Sequence, residues 1–120
     1  MSSNVGTNHI PWDKFAMIYM GAQKNLGTAG CTVMVIREDL FGNADKDIPI
    51  LCDWTLHEQS PDTYYNTPAI FPMYITMLNM KHMNANGLEH YIELANVRSK
   101  LLWDCIHASN GFYKCKITDE

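Results

Sequence analysis

Basic residues are scarce in this chain: nine Lys and Arg in all, scattered singly, against thirteen Asp and Glu, for a formal charge of −4. That balance excludes a nucleic-acid-binding surface and a polybasic membrane patch, both of which need clustered cations. Cys-x-x-Cys is absent too. The four cysteines, Cys31, Cys52, Cys105 and Cys115, are widely spaced, which suggests neither a zinc site nor a disulfide framework and reads as reduced thiols in a cytosolic protein. The opening residues Met1 to Thr7 lack the basic-then-apolar order of a signal peptide, and no apolar run approaches membrane-spanning length. The chain therefore reads as soluble and cytoplasmic, with no nucleic-acid or membrane partner.

Several catalytic signatures are also missing. A phosphate-binding P-loop needs Gly, four residues, then Gly-Lys-Ser/Thr, whereas Gly21 and Gly27 are separated by five residues and Thr28 follows. The Gly-x-Gly of a dinucleotide fingerprint does not occur. The five histidines, His9, His57, His82, His90 and His107, include no pair four apart with a Glu between, so no metal site is expected. No serine triad can be argued, because a triad is a geometry that spacing does not supply.

What is present is a globular composition, 47% hydrophobic and 18% charged, in a length sufficient for one modest core. It is organised around Gly21-Ala22-Gln23-Lys24-Asn25-Leu26-Gly27-Thr28-Ala29-Gly30, a small-residue loop holding one lysine. Phe15 to Met20 and Cys31 to Ile36 flank it as apolar runs of strand length, and continuous apolarity predicts that both faces of both strands are covered, as in a helix-flanked sheet. Glycines at 21, 27 and 30 permit sharp turning and close approach.

Around the loop, Ser2 to Lys14 reads as a polar segment with Trp12 packed beneath it. Glu38 to Phe41 reads as a short helical turn, and 43–61 as a long polar connection. Thr67-Pro68 signals a helix start, with Thr67 as cap, running to about Asn84. The stripe Ile70, Met73, Tyr74, Met77 and Met80 on that helix reads as core. A second helix is predicted from Leu88 to about Ala108, its buried face formed by Leu88, Tyr91, Ile92, Leu94, Ala95, Leu101, Leu102, Cys105 and Ile106. Phe112 to Ile117 reads as an edge strand.

Tyr19 to Gly30, the following Thr32 to Gly42, Tyr65-Asn66-Thr67-Pro68 and Ser109-Asn110-Gly111-Phe112-Tyr113 together resemble phosphoserine aminotransferase, a fold-type I, pyridoxal-phosphate-dependent family. The likeness runs in order along essentially the whole chain. It departs from the family pattern at Thr28, where Pro or Ser is usual, at Ala69, where a second Pro is usual, and at Leu88, where a second Gly is common.

The resemblance implies an α/β fragment: the end of the large-domain sheet in residues 1–85, then in 86–120 a connecting helix and the start of the small domain. Met1 would be an interior methionine, and the aspartate that partners the pyridine nitrogen would fall just before it. Lys24 would carry pyridoxal 5′-phosphate as a Schiff base and act as general acid and base. Gln23 would help bind the cofactor. Asn66 and Thr67 would donate to its phosphate from the neighbouring subunit of a homodimer. The implied reaction moves an amino group between glutamate and 3-phosphohydroxypyruvate, giving O-phosphoserine and 2-oxoglutarate in serine biosynthesis. Substrate choice is carried less by these residues than the cofactor lysine is, so a related fold-type I enzyme, a small-amino-acid aminotransferase or desulfurase, is the second reading. The third is a truncated interaction protein. For Asn66-Thr67 taken without the resemblance, a plain helix cap is the simpler reading.

Overall fold

The computed structural model describes residues 1–59 and 64–117. Two strands, β1 (Met17–Gly21) and β2 (Thr32–Ile36), pair antiparallel with Met17 opposite Ile36 and Gly21 opposite Thr32. The lysine loop is thus the connection of a β-hairpin. Three helices follow: α1 (Trp54–Glu58), α2 (Ile70–Asn86) and α3 (Leu88–Ala108). Single 3₁₀ turns at Trp12–Lys14, Glu38–Leu40 and Ile50–Cys52 punctuate the connections.

The strands form where β-branched and aromatic residues line up, but their burial corrects the expectation of two covered faces. Along β1, Ile18 and Met20 are buried while Met17 and Tyr19, on the opposite face, stand exposed. Successive side chains of a strand point to opposite faces, so only the face turned toward Leu26 and Met83 is covered. A continuous apolar run announces two apolar faces. It does not supply the layer that would cover the second.

The core among the described residues is correspondingly small: Ile18, Met20, Ala22 and Leu26, with Val5, Ile10, Cys31, Val33 and Met83 packed around them. Trp12 does not pack beneath its segment; it is half exposed. The methionine stripe is not core either, since Ile70, Tyr74, Met77 and Met80 are exposed and the buried residue of α2 is Thr76. α3 contains no buried residue. Tyr91, Ile92, Leu94, Ala95 and Ile106 are half buried, whereas Leu88, Leu101, Leu102 and Cys105 are exposed.

Three local expectations change. The 43–61 connection, whose far end at Pro61 lies outside the described residues, contains α1, started by Asp53, whose carboxylate accepts from Thr55 N at 3.0 Å. α2 begins at Ile70 with Ala69 as its cap residue and no side-chain capping bond, so Thr67 does not cap it. Phe112 to Ile117 forms no strand and follows α3 as turns, since no neighbouring strand offers it a ladder. Gly87, at φ 82° and ψ 152°, is the joint that ends α2 and starts α3.

Candidate functional site

Beyond the last paired residues Gly21 and Thr32, Ala22 N donates to Cys31 O at 2.9 Å and narrows the neck of the hairpin loop. Inside that neck, Gly27 N donates to Ala22 O at 2.7 Å, closing a smaller ring over residues 22–27. Lys24 sits at its apex. Ala22, at one end of the ring, and Leu26, next to its other end at Gly27, are its buried feet, 0% and 2% exposed, whereas Gln23, Lys24 and Asn25 between them are exposed. Burying the feet costs little because both are apolar, and it leaves the intervening amine facing outward.

The ring is held from two directions. On one side Asn25 reaches the N-terminal segment, with its Nδ2 donating to Val5 O and its backbone N to Ser2 O at 3.3 Å. On the other it rests on α2, where Asn79 Nδ2 donates to Leu26 O at 2.9 Å. Gly27 lies flat on Thr76: a Cβ there would stand 2.9 Å from Thr76 Oγ1. Gly30, at φ 104°, takes the left-handed backbone that returns the chain to β2, and a side chain there would be strained. Gln23 folds its carboxamide back over Gly21, occupying the space a Cβ would need.

Gln23 and Lys24 therefore stand side by side on the loop, as the sequence places them. Asn66 and Thr67 are exposed in the segment leading into α2, three residues ahead of its first turn. Because Ala69 is the cap residue, the plain-cap explanation of this pair does not hold. Asn25, Thr76 and Asn79, which hold the loop, were missed by the sequence reading. The contact from residue 79 spans 53 positions and no spacing rule reaches it.

Two other features lie apart from the lysine. An apolar cavity of about 440 Å³ opens between the covered sheet face and the α2–α3 junction, lined by Met20, Leu26, Val33, Met80, Met83 and Leu88 among others; Lys24 is not in its wall. Beyond β2, Arg37 forks onto Asp39, with Nε on Oδ1 and a terminal nitrogen 2.9 Å from Oδ2. The hydrogen bond from Arg37 holds the Asp39 carboxyl below the usual carboxylate range, and the same bond raises the Arg37 guanidinium. Among the described residues no group of His, Cys, Asp and Glu could hold a metal ion, and no helix is long and apolar enough to cross a membrane.

No protein-family model matches the chain. The phosphoserine aminotransferase of Lysinibacillus sphaericus is 42% identical over 121 residues, covering all of this chain and 33% of that enzyme. The chain matches one third of a phosphoserine aminotransferase. The Drosophila melanogaster phosphoserine aminotransferase is 39% identical over 118 residues, 98% of this chain and 32% of its own length. Solved phosphoserine aminotransferases agree. One studied for radiation damage of its Schiff base superposes with a TM-score of 0.85 at 34% identity, over 95% of this chain and 32% of that one. The PLP-bound phosphoserine aminotransferase from Trichomonas vaginalis gives a TM-score of 0.79 at 30% identity, over 91% and 31%. The chain spans about a third of the length of the curated relatives it matches. At these identities the likeness extends to the fold: this α/β piece has the fold of the matching third of phosphoserine aminotransferase.

Proposed function

We propose that this chain is the lysine-bearing third of a phosphoserine aminotransferase that transfers the amino group between glutamate and 3-phosphohydroxypyruvate, forming O-phosphoserine and 2-oxoglutarate. One observation carries the reading. An exposed amine at the apex of a ring with buried feet occurs in a chain that matches phosphoserine aminotransferases end to end.

The donor chemistry fits pyridoxal 5′-phosphate. Lys24 offers a primary amine to an aldehyde, Gln23 offers a carboxamide beside it, and Asn66 and Thr67 offer neutral donors suited to a phosphate when several converge. When bound, the cofactor supplies an electron-withdrawing ring that makes the substrate's Cα proton removable. Lys24 would hold the cofactor covalently through Nζ. When free, the same nitrogen would be a base able to take the proton from the substrate's Cα and give it back.

The proposal extends to assembly and layout. Asn66 and Thr67 act on the cofactor phosphate of a second subunit, so the working unit is a cytoplasmic homodimer with shared sites. Residues 1–85 belong to the cofactor-binding large domain, and 86–120 lead into the small one, with the junction at the Gly87 joint. Borohydride reduction of the full-length, cofactor-loaded enzyme followed by peptide mapping tests the assignment. The label is expected on Lys24; finding it on Lys14, Lys46 or Lys81 overturns the proposal.

A further inference from the structure

The position of Lys24 is fixed by a helix more than fifty residues downstream. Gly27, three residues past the lysine, is seated on the buried Thr76 of α2: a Cβ added there would lie 2.9 Å from Oγ1, 3.3 Å from the backbone N and 3.4 Å from Cα of Thr76. Thr76 Oγ1 is itself committed, donating to Pro72 O at 2.8 Å, so it cannot swing aside without losing that bond. One turn further along α2, Asn79 Nδ2 donates to Leu26 O at 2.9 Å. The two contacts seize adjacent residues, one by shape and one by a directed bond. Because Gly27 N also bonds Ala22 O, any shift of Gly27 is passed around a closed six-residue ring to Lys24.

We infer that Thr76 and Asn79 are positioning residues for Lys24, with α2 setting the height at which the amine is presented. The inference rests on the proposed role of Lys24. Neither side chain touches a reacting group; both act through the 22–27 ring. The effect can be large, since a displacement of about 1 Å at a reacting group can cost roughly a hundredfold in rate.

The test uses the full-length enzyme carrying this chain, loaded with cofactor. Gly27 is not at positive φ, so Gly27→Ala adds one methyl without a backbone penalty and pushes the ring off α2. Three quantities are read: visible circular dichroism per bound cofactor, which reports how firmly the chromophore is oriented, kcat, and far-ultraviolet dichroism. The expected result is a loss of about twofold in the visible signal and about tenfold in kcat, with the far-ultraviolet spectrum unchanged. Gly27→Ala combined with Thr76→Ala removes the 2.9 Å contact, leaves the 3.3 Å approach to the Thr76 backbone N, and should recover part of both losses. A general loss of stability would not recover, because Thr76→Ala also deletes a hydrogen bond. Asn79→Leu removes the donor without adding a heavy atom, is expected to act in the same direction, and decides the matter if Gly27→Ala does not fold. Unchanged visible dichroism and kcat in the variant that folds, or a double variant no better than Gly27→Ala, overturns the inference. A borohydride label on a lysine other than Lys24 in the unsubstituted enzyme would instead defeat the proposed function beneath it.

Discussion

Ala22 and Lys24 are two residues apart and meet opposite environments: Ala22 is 0% exposed and closes the neck of the hairpin, while Lys24 faces outward from the ring that Ala22 anchors. A long flexible side chain is thereby mounted on a backbone that cannot drift. The contrast follows from side-chain chemistry once α2 and the N-terminal segment cover the loop, because apolar feet bury where a cation does not.

Lys24→Arg keeps the charge and much of the length, yet a guanidinium can neither condense with an aldehyde nor act as a base near neutral pH. In the full-length enzyme kcat is expected to fall by about a hundredfold or more, the scale of a lost general acid and base. Steady-state turnover with glutamate checks this; retention of more than a tenth of the activity would move the chemistry to another residue.

Subunit mixing probes the pair ahead of α2. If Asn66 and Thr67 serve a neighbour's cofactor, then Lys24→Ala subunits mixed with Asn66→Ala/Thr67→Ala subunits regain activity, because each heterodimer rebuilds one intact site from two defective chains. About a quarter of the wild-type turnover is the expected ceiling, since half the subunits pair as heterodimers and half of their sites are intact. Absence of any recovery under conditions that demonstrably exchange subunits argues that the pair acts within its own chain.

The 120-residue chain on its own is expected to show no turnover of glutamate with 3-phosphohydroxypyruvate above free pyridoxal phosphate. Its core among the described residues is four buried apolar side chains, and Met17 and Tyr19 stand exposed on the other, open face of the sheet. So small a core leaves a fold marginal, and a two-stranded sheet needs further partners. Size-exclusion chromatography should show association rather than a monomer. Sustained catalysis by a monomeric preparation would contradict this.

Arg37 and Asp39 give a prediction in pH. The folded-state carboxyl of Asp39 is held below its ordinary range by Arg37, so its contribution is present above that range and fades as pH falls through the lowered value. Arg37→Ala should raise the Asp39 titration midpoint, followed by carboxyl chemical shifts in nuclear magnetic resonance. Both side chains are exposed, so added salt should shrink the difference; an unchanged midpoint would mean the fork does not persist in solution.

How far the sequence could be read depends on which elements carry their own cause. Both strands fall within two residues of their apolar runs, and α3 runs from Leu88 to Ala108 because Gly87 and Asn110 bracket one uninterrupted helical pattern. The lysine loop was legible for the same local reason. What covers an apolar face is not local: Tyr19 and Ile18 read alike in sequence, yet one is exposed and the other buried. The methionine stripe failed likewise, since periodicity identifies a face of α2 and says nothing of a neighbour for it. α1 was missed although Asp53 and Thr55 carry its cap bond, because five helical residues are too few to show a period. Thr76 and Asn79 carry no signal at all until α2 folds back on the loop.

The Gly87 joint has a consequence in leverage. α3 continues for 21 residues beyond it, an arm of about 30 Å at 1.5 Å per residue, so a turn of about 10° in the joint's dihedrals would sweep the Ala108 end through roughly 5 Å. Nothing lies within 4 Å of where a Cβ on Gly87 would stand, so the bracing comes from the first turn of α3, where the Tyr91 ring meets His82 edge to face at 6.1 Å and Glu89 meets His9 at 2.8 Å. The aim of the Ala108 end is therefore governed by one residue's two torsions and by the few contacts of the turn that follows it.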